Sequence, residues 1–158
     1  MKHILVTTDF SEEAEAAFDY AKEQARLIGK GECKVTLLKV IDIVIPTADE
    51  FDYGVDTADK IGIIKRLQEQ ASKRIKEIAQ KHFAGFPIET SVFTPSKDVD
   101  KGIIEFAETN DVDLIIMSTH GRTGVGRFLL GSIVERVIRQ SSCPVMVVPA
   151  KMAKKETP

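Results

Sequence analysis

Residues 112–149 read VDLIIMSTHGRTGVGRFLLGSIVERVIRQSSCPVMVVP. An aliphatic run, Leu114–Met117, leads into a glycine-rich segment, after which Ile133, Val134, Val137 and Ile138 recur at the spacing of one helical face. A second strand-like run, Cys143–Pro149, follows directly. Strand, helix and strand in that order form a βαβ crossover, whose two strands lie parallel. Both runs are apolar through their middles rather than alternating, as expected where helices cover the two faces of a sheet.

The chain upstream repeats this alternation. Ile4–Thr8 supplies a first strand, and Ala14, Phe18, Ala21, Ala25 and Ile28 mark a helix with Ser11 as its N-cap. Glu12 and Glu13 suit its positive end, and Gly29 and Gly31 close it. Lys34–Asp42 is the second strand, followed by an irregular stretch to about Asp59. Between Asp49 and Asp59 there are five acidic side chains and no basic one. A loop of that length is expected to be a functional flap or mobile. Ile61, Ile64, Leu67, Ala71, Ile75, Ile78 and Ala79 then trace the apolar face of a long helix. Phe86–Thr94 is the third strand, Asp98 can cap a helix carrying Ile103, Ile104, Phe106 and Ala107, and Val112–Ser118 is the fourth strand. Five strands strictly interleaved with four helices predict an α/β fold, a mostly parallel sheet with helices on both faces.

A length of 158 residues fits one domain. We read residues 1–150 as that domain and 151–158, KMAKKETP, as a polar C-terminal tail. The net charge of -2, with no basic stripe and no tryptophan, argues against a nucleic-acid groove, which needs clustered Lys and Arg. Cys33 and Cys143 sit in or beside apolar runs and are expected as buried free thiols in a reducing compartment. Together with the three histidines they show no metal-ligand spacing. No stretch approaches a membrane span, and the opening apolar run is too short for a signal peptide, so a cytoplasmic location is expected.

The segment Ser118–Ser132 holds four glycines, two arginines and four hydroxyl side chains, and leaves the C-terminal end of a strand. Ligands of open α/β sheets bind at that edge. Gly131-Ser132 opens the last helix, with Ser132 and Glu135 spaced as a capping box, and a helix start offers free amides and positive charge to a phosphate. Two familiar phosphate motifs do not fit. After Gly121-x4-Gly126, Arg127-Phe128 stands where a P-loop needs Lys-[Ser/Thr], and the first turn, TTDFSEE, lacks the glycines of a dinucleotide fingerprint. Nor is there a phosphoacceptor arrangement, since Asp9 stands alone after the first strand and the third ends in Val92-Phe93-Thr94.

ILVTTDFSEEAEAAFDYA, LLKVID and the 112–149 segment together resemble the universal stress protein family over about residues 2–149. The resemblance implies a single-domain Rossmann-like sandwich with a five-stranded parallel sheet in the order 3-2-1-4-5 and four helices. Its nucleotide-binding branch carries Gly-x2-Gly-x9-Gly followed by Ser or Thr; here these positions are Ser118, Gly121, Gly131 and Ser132, a departure at the first. By the same resemblance Asp9 would bond the adenine edge with Thr7 beside it, and Val40 would pack on the adenine face. Met117 and Ser118 would border the ribose, and His120, Gly121, Arg122, Gly131, Ser132 and Ile133 would surround the phosphates. The implied ligand is ATP, alone or with magnesium, and the implied partner is a second copy paired through the last strand, Pro144–Pro149. No catalytic residue is assigned, because His120 has no nameable hydroxyl or thiol partner. Two alternatives stay open: an interaction dimer of the same fold without nucleotide, and a slow ATPase.

Overall fold

The computed structural model describes residues 1–29, 31–42, 57–95, 98–119 and 130–150. Strands β1 (His3–Thr7), β2 (Lys34–Val40), β3 (Glu89–Phe93), β4 (Leu114–Ser118) and β5 (Val145–Val148) build one sheet. Its order is β3-β2-β1-β4-β5 and every neighbouring pair is parallel. Between the strands run α1 (Ala16–Ile28), α2 (Thr57–His82), α3 (Val99–Thr109) and α4 (Ser132–Gln140).

Successive strand residues feed two separate cores. Ile4, Val6, Leu37 and Ile116 pack with α1 and the C-terminal half of α2. Leu5, Leu38, Ile115 and Met117 pack with α3 and α4 on the opposite face. That division explains the unbroken apolar runs, since both sides of each central strand are buried. The one histidine among the core residues is accommodated by pairing: His3 Nδ1 donates to the Asn110 carbonyl, and Nε2 faces the Thr36 hydroxyl, both at 2.9 Å.

Several boundaries and faces depart from the sequence reading. β2 stops at Val40 rather than Asp42, with Ile41 N still donating to Phe93 O. β3 begins at Glu89 rather than Phe86, because Phe86 N closes a turn onto Phe83 O with Gly85 at φ 73°. The hydroxyl of Ser11 does accept from Ala14 N, at 3.3 Å, but the turn it opens is a 3-10 turn, Glu13–Glu15, and α1 proper begins at Ala16. Asp98 occupies the N-cap of α3 without a side-chain cap bond. Ile138 is exposed, and both free cysteines are only partly buried, although burial still pushes the Cys33 thiol upward.

The long helix departs most. Ala71, Ile75 and Ala79 are buried as expected, but Ile61 is 63% and Leu67 38% exposed. With 26 residues α2 is about 39 Å long, more than twice the span of a five-residue strand. Gln68 bonds Thr94 just past the end of β3, so the turns before it extend beyond the sheet edge, with no strand beneath them among the described residues.

At the opposite edge, Asp113 Oδ2 accepts from the backbone amides of Lys2 and His3. These two donors hold its carboxyl below the usual range. A lowered folded-state pKa gives a contribution that is present at neutral pH and lost as pH falls through the ordinary carboxylate range toward the lowered value. Asp113→Asn is expected to flatten the acid limb of a urea-midpoint titration. An unchanged limb would show that the chain start gains nothing from this carboxylate.

Candidate functional site

Following the chain, β1, β2 and β3 step one way across the sheet while β4 and β5 step the other, so the switch point lies between β1 and β4. At the C-terminal ends of β1, β2 and β4 there is a cleft of about 350 Å³, closed on one side by the starts of α3 and α4. Thr7, Asp9, Val40, Met117, Ser118, Gly131, Ser132 and Ile133 all line it. His120, Gly121 and Arg122 lie outside the described residues, as do the C-terminal tail and the acidic stretch before Thr57.

The turn after β1 is built to place Asp9. Thr8 N extends the ladder by donating to Leu38 O, and Thr8 Oγ1 accepts from Phe10 N. Phe10 sits at φ 72°, a left-handed conformation that costs a non-glycine residue about 1–2 kcal/mol. Arg74 and Lys39 flank its ring at 5.0 and 5.2 Å from the centroid, and Arg74 Nη2 donates to its carbonyl. Cation–π contacts of this kind offset part of that strain. Asp9 Oδ1 accepts from Ser11 N at 3.0 Å and from Ser11 Oγ at 2.5 Å. Asp9 therefore braces the residue that receives Ala14 N, and does not itself cap the helix.

On the other wall, Gly131 and not Ser132 is the N-cap of α4. Gly131 N donates to Thr119 O at 3.1 Å, and Gly131 O accepts from Glu135 N. Ser132 is already helical, so the expected capping box with Glu135 does not form; the Glu135 carboxylate meets Arg139 instead. The φ of Gly131, -58°, is open to any residue, so proximity rather than backbone conformation is what favours glycine here. A Cβ there would lie 3.3 Å from Thr119 O. The first-turn amides of α4 have no intrahelical partner, and Ser132, Ile133 and Val134 of that turn line the cleft together with Ser118.

Thr8, Lys39, Asp42, Val99, Ile103 and Val134 also line the cleft, though the sequence assigns none of them to the site and marks Ile103 and Val134 only as residues of apolar helix faces. Leu38 could have been found from Val40, since residues two apart in a strand share a face. Val99 and Ile103 arrive through the packing of α3, and the apolar period that marks Ile103 does not tell a cleft wall from the core. Leu38, Val40, Ile103, Met117 and Val134 belong to the core behind, so the floor of the cleft is the open end of that core. Apolar walls with polar groups on both sides, Thr7, Thr8 and Asp9 from the turn after β1 and Ser118 and Ser132 beside the start of α4, suit a flat heterocycle carrying an anionic group. Among the described residues no group of His, Cys, Asp or Glu is placed to hold a metal ion, and no helix is long and apolar enough to cross a membrane.

The sequence pattern of the universal stress protein family matches residues 1–149. Two universal stress proteins of Methanocaldococcus jannaschii are similar: MJ0531 is 31% identical over 98% of this chain and 85% of its own, and MJ0577 is 35% identical over 95% and 96%. The solved structure of MJ0577 superposes with a TM-score of 0.73 at 32% identity, covering 96% of this chain and 98% of the other. The universal stress protein of Archaeoglobus fulgidus solved in complex with dAMP shares the fold, at 23% identity and a TM-score of 0.59, over 94% and 98% of the two chains.

Proposed function

Because the chain belongs to the universal stress protein family, we propose that it is a cytoplasmic stress-response protein whose cleft binds an adenine nucleotide, ATP, as a regulatory or structural ligand. The observation that carries this reading is convergence. Residues from β1, β2, β4 and α4, distant in sequence, line one cleft with apolar walls and a helix start at one end. In this reading Asp9 and Thr7 meet the adenine edge, Val40 its face, and Met117 and Ser118 the ribose side. Gly131, Ser132 and Ile133 meet the phosphates, joined by His120, Gly121 and Arg122. The family relative that binds dAMP supports an adenine nucleotide as the ligand class. The ligand is not turned over as the main role, since the P-loop lysine that phosphoryl transfer commonly uses is missing. The protein pairs with a second copy through β5, the sheet-edge strand whose Val145, Met146 and Val147 are only partly buried.

Mass spectrometry of small molecules released from freshly purified, denatured protein should detect an adenine nucleotide. Mg-ATP at ten times its dissociation constant adds about 1.4 kcal/mol of stability, a melting shift of about 3–6 °C. Gly131→Val, which crowds Thr119 O, should abolish that shift. No shift at millimolar ATP in a folded dimer rejects the nucleotide reading in favour of an interaction dimer, the alternative that Ser118 in a glycine position favours. A sedimentation mass of one chain rejects the pairing.

A further inference from the structure

Phe10 follows Asp9 directly and holds a backbone conformation that glycine adopts freely and phenylalanine does not. Such a residue persists only where its surroundings fix it. Part of what fixes Phe10 comes from α2. Its ring packs against the core that contains Ile75. Arg74, one residue earlier on that helix, donates from Nη2 to the Phe10 carbonyl and stands over the ring. Ala71 and Ile75 are buried on either side, so the turn of α2 that presents Arg74 is anchored. The Asp9–Ser11 bonds span Phe10 and therefore depend on the conformation it keeps. Arg74 itself is exposed and does not line the cleft, whereas Asp9 does. An arginine outside the cleft thus grips the residue next to a carboxylate inside it.

We propose that Arg74 is a positioning residue for ligand recognition: by holding Phe10 left-handed it fixes the Asp9 carboxylate against the adenine edge. This inference rests on the nucleotide reading above and adds to it a control that acts from outside the cleft. Glycine in place of Phe10 would need no such support, and it would also give α2 no hold on the turn. With phenylalanine there, a displacement of α2 along the sheet releases the carbonyl, lets Phe10 relax and loosens the grip on the base. The strain stored at Phe10 makes the adenine end of the cleft responsive to the position of a helix that never touches the ligand.

The test compares wild type with Arg74→Met, Phe10→Gly and the double variant. Each is titrated calorimetrically with Mg-ATP at about 0.05 and about 0.5 M salt, and melting curves confirm that each is folded. Arg74→Met is expected to bind ATP about fivefold more weakly at both salt concentrations. Against the Phe10→Gly background, where the turn needs no support, the same substitution is expected to leave the affinity unchanged. Wild type that fails to bind ATP overturns the nucleotide reading and this assignment with it. Wild type that binds, beside Arg74→Met that binds equally well, overturns the assignment alone, since a merely structural contact lowers the melting temperature without changing the affinity of the folded protein. A loss that disappears at high salt also overturns it, because that marks a general attraction between the guanidinium and the phosphates. So does a loss undiminished by Phe10→Gly, which would show that Arg74 acts by another route.

Discussion

Replacing Gly102 with valine is expected to lower the unfolding free energy by about 3 kcal/mol and the melting temperature by about 6–12 °C. Gly102 lies buried in the second turn of α3, where the helix crosses the end of β2. A Cβ built there would stand 2.7 Å from Pro95 Cβ and 2.9 Å from Val40 Cγ1. Neither neighbour can swing aside, because the proline ring is closed on its own backbone and Val40 is β-branched and held in a central strand. The helix itself would prefer alanine to glycine by roughly 0.5–1 kcal/mol, so the packing term must exceed that gain. Gly102→Ala should therefore lose less than valine, yet still lose. Urea unfolding checks both, and an alanine variant more stable than wild type would mean that α3 can withdraw from Val40. Since Val40 lines the cleft, the valine variant should also show a smaller shift with Mg-ATP.

The second large effect concerns a carboxylate that is almost wholly buried. Asp100, on the first turn of α3, is 2% exposed, and its Oδ1 lies 3.6 Å from Arg136 Nε without a hydrogen bond. Arg136 also donates to Ser132 O at 3.2 Å, so the pair ties the start of α3 to the first turn of α4. Removing one member of a buried pair costs about 3–5 kcal/mol, because the other is left as an uncompensated charge. Arg136 is 47% exposed, which places Arg136→Met near the lower bound, about 3 kcal/mol. Adding Asp100→Ala should restore part of that loss. A double variant that is less stable than Arg136→Met alone would show that Asp100 is held by contacts other than this arginine.

Much of the architecture was legible because it rests on a strong local signal. The β-branched runs around Leu5, Leu37 and Ile115 are apolar on both faces, and only a covered parallel sheet needs that. Element ends were harder, since Val40 and Glu89 become strand limits through cross-strand pairing and a turn at Gly85. Ile61 and Leu67 fit the helical period equally well whether or not a sheet lies beneath them. Ser132 and Glu135 had the spacing of a capping box, but the contact between Gly131 and Thr119 set the helix start one residue earlier. Gly102 and Asp100 looked ordinary in the sequence; their importance is created by Pro95, Val40 and Arg136 arriving from elsewhere. Of the residues assigned through the family resemblance, Thr7, Asp9, Val40, Met117 and Ser118 lie at or just past strand ends and Gly131, Ser132 and Ile133 at the start of α4, while His120, Gly121 and Arg122 lie outside the described residues. Thr8, Lys39 and Asp42 were passed over because the resemblance gave them no role.

The β1–β4 pairing also bears on how the molecule opens. Ile4 lies beside Leu114, so this seam pairs strands far apart in the chain, and the cleft straddles it. Closing so long a loop is slow, and no fragment shorter than nearly the whole domain contains both walls. A ligand held there contacts both sides of that seam. Its occupancy should therefore retard hydrogen exchange in β1 and β4 together, as one cooperative unit, rather than in the loops alone. The cleft would then act as a lock on the entire sheet.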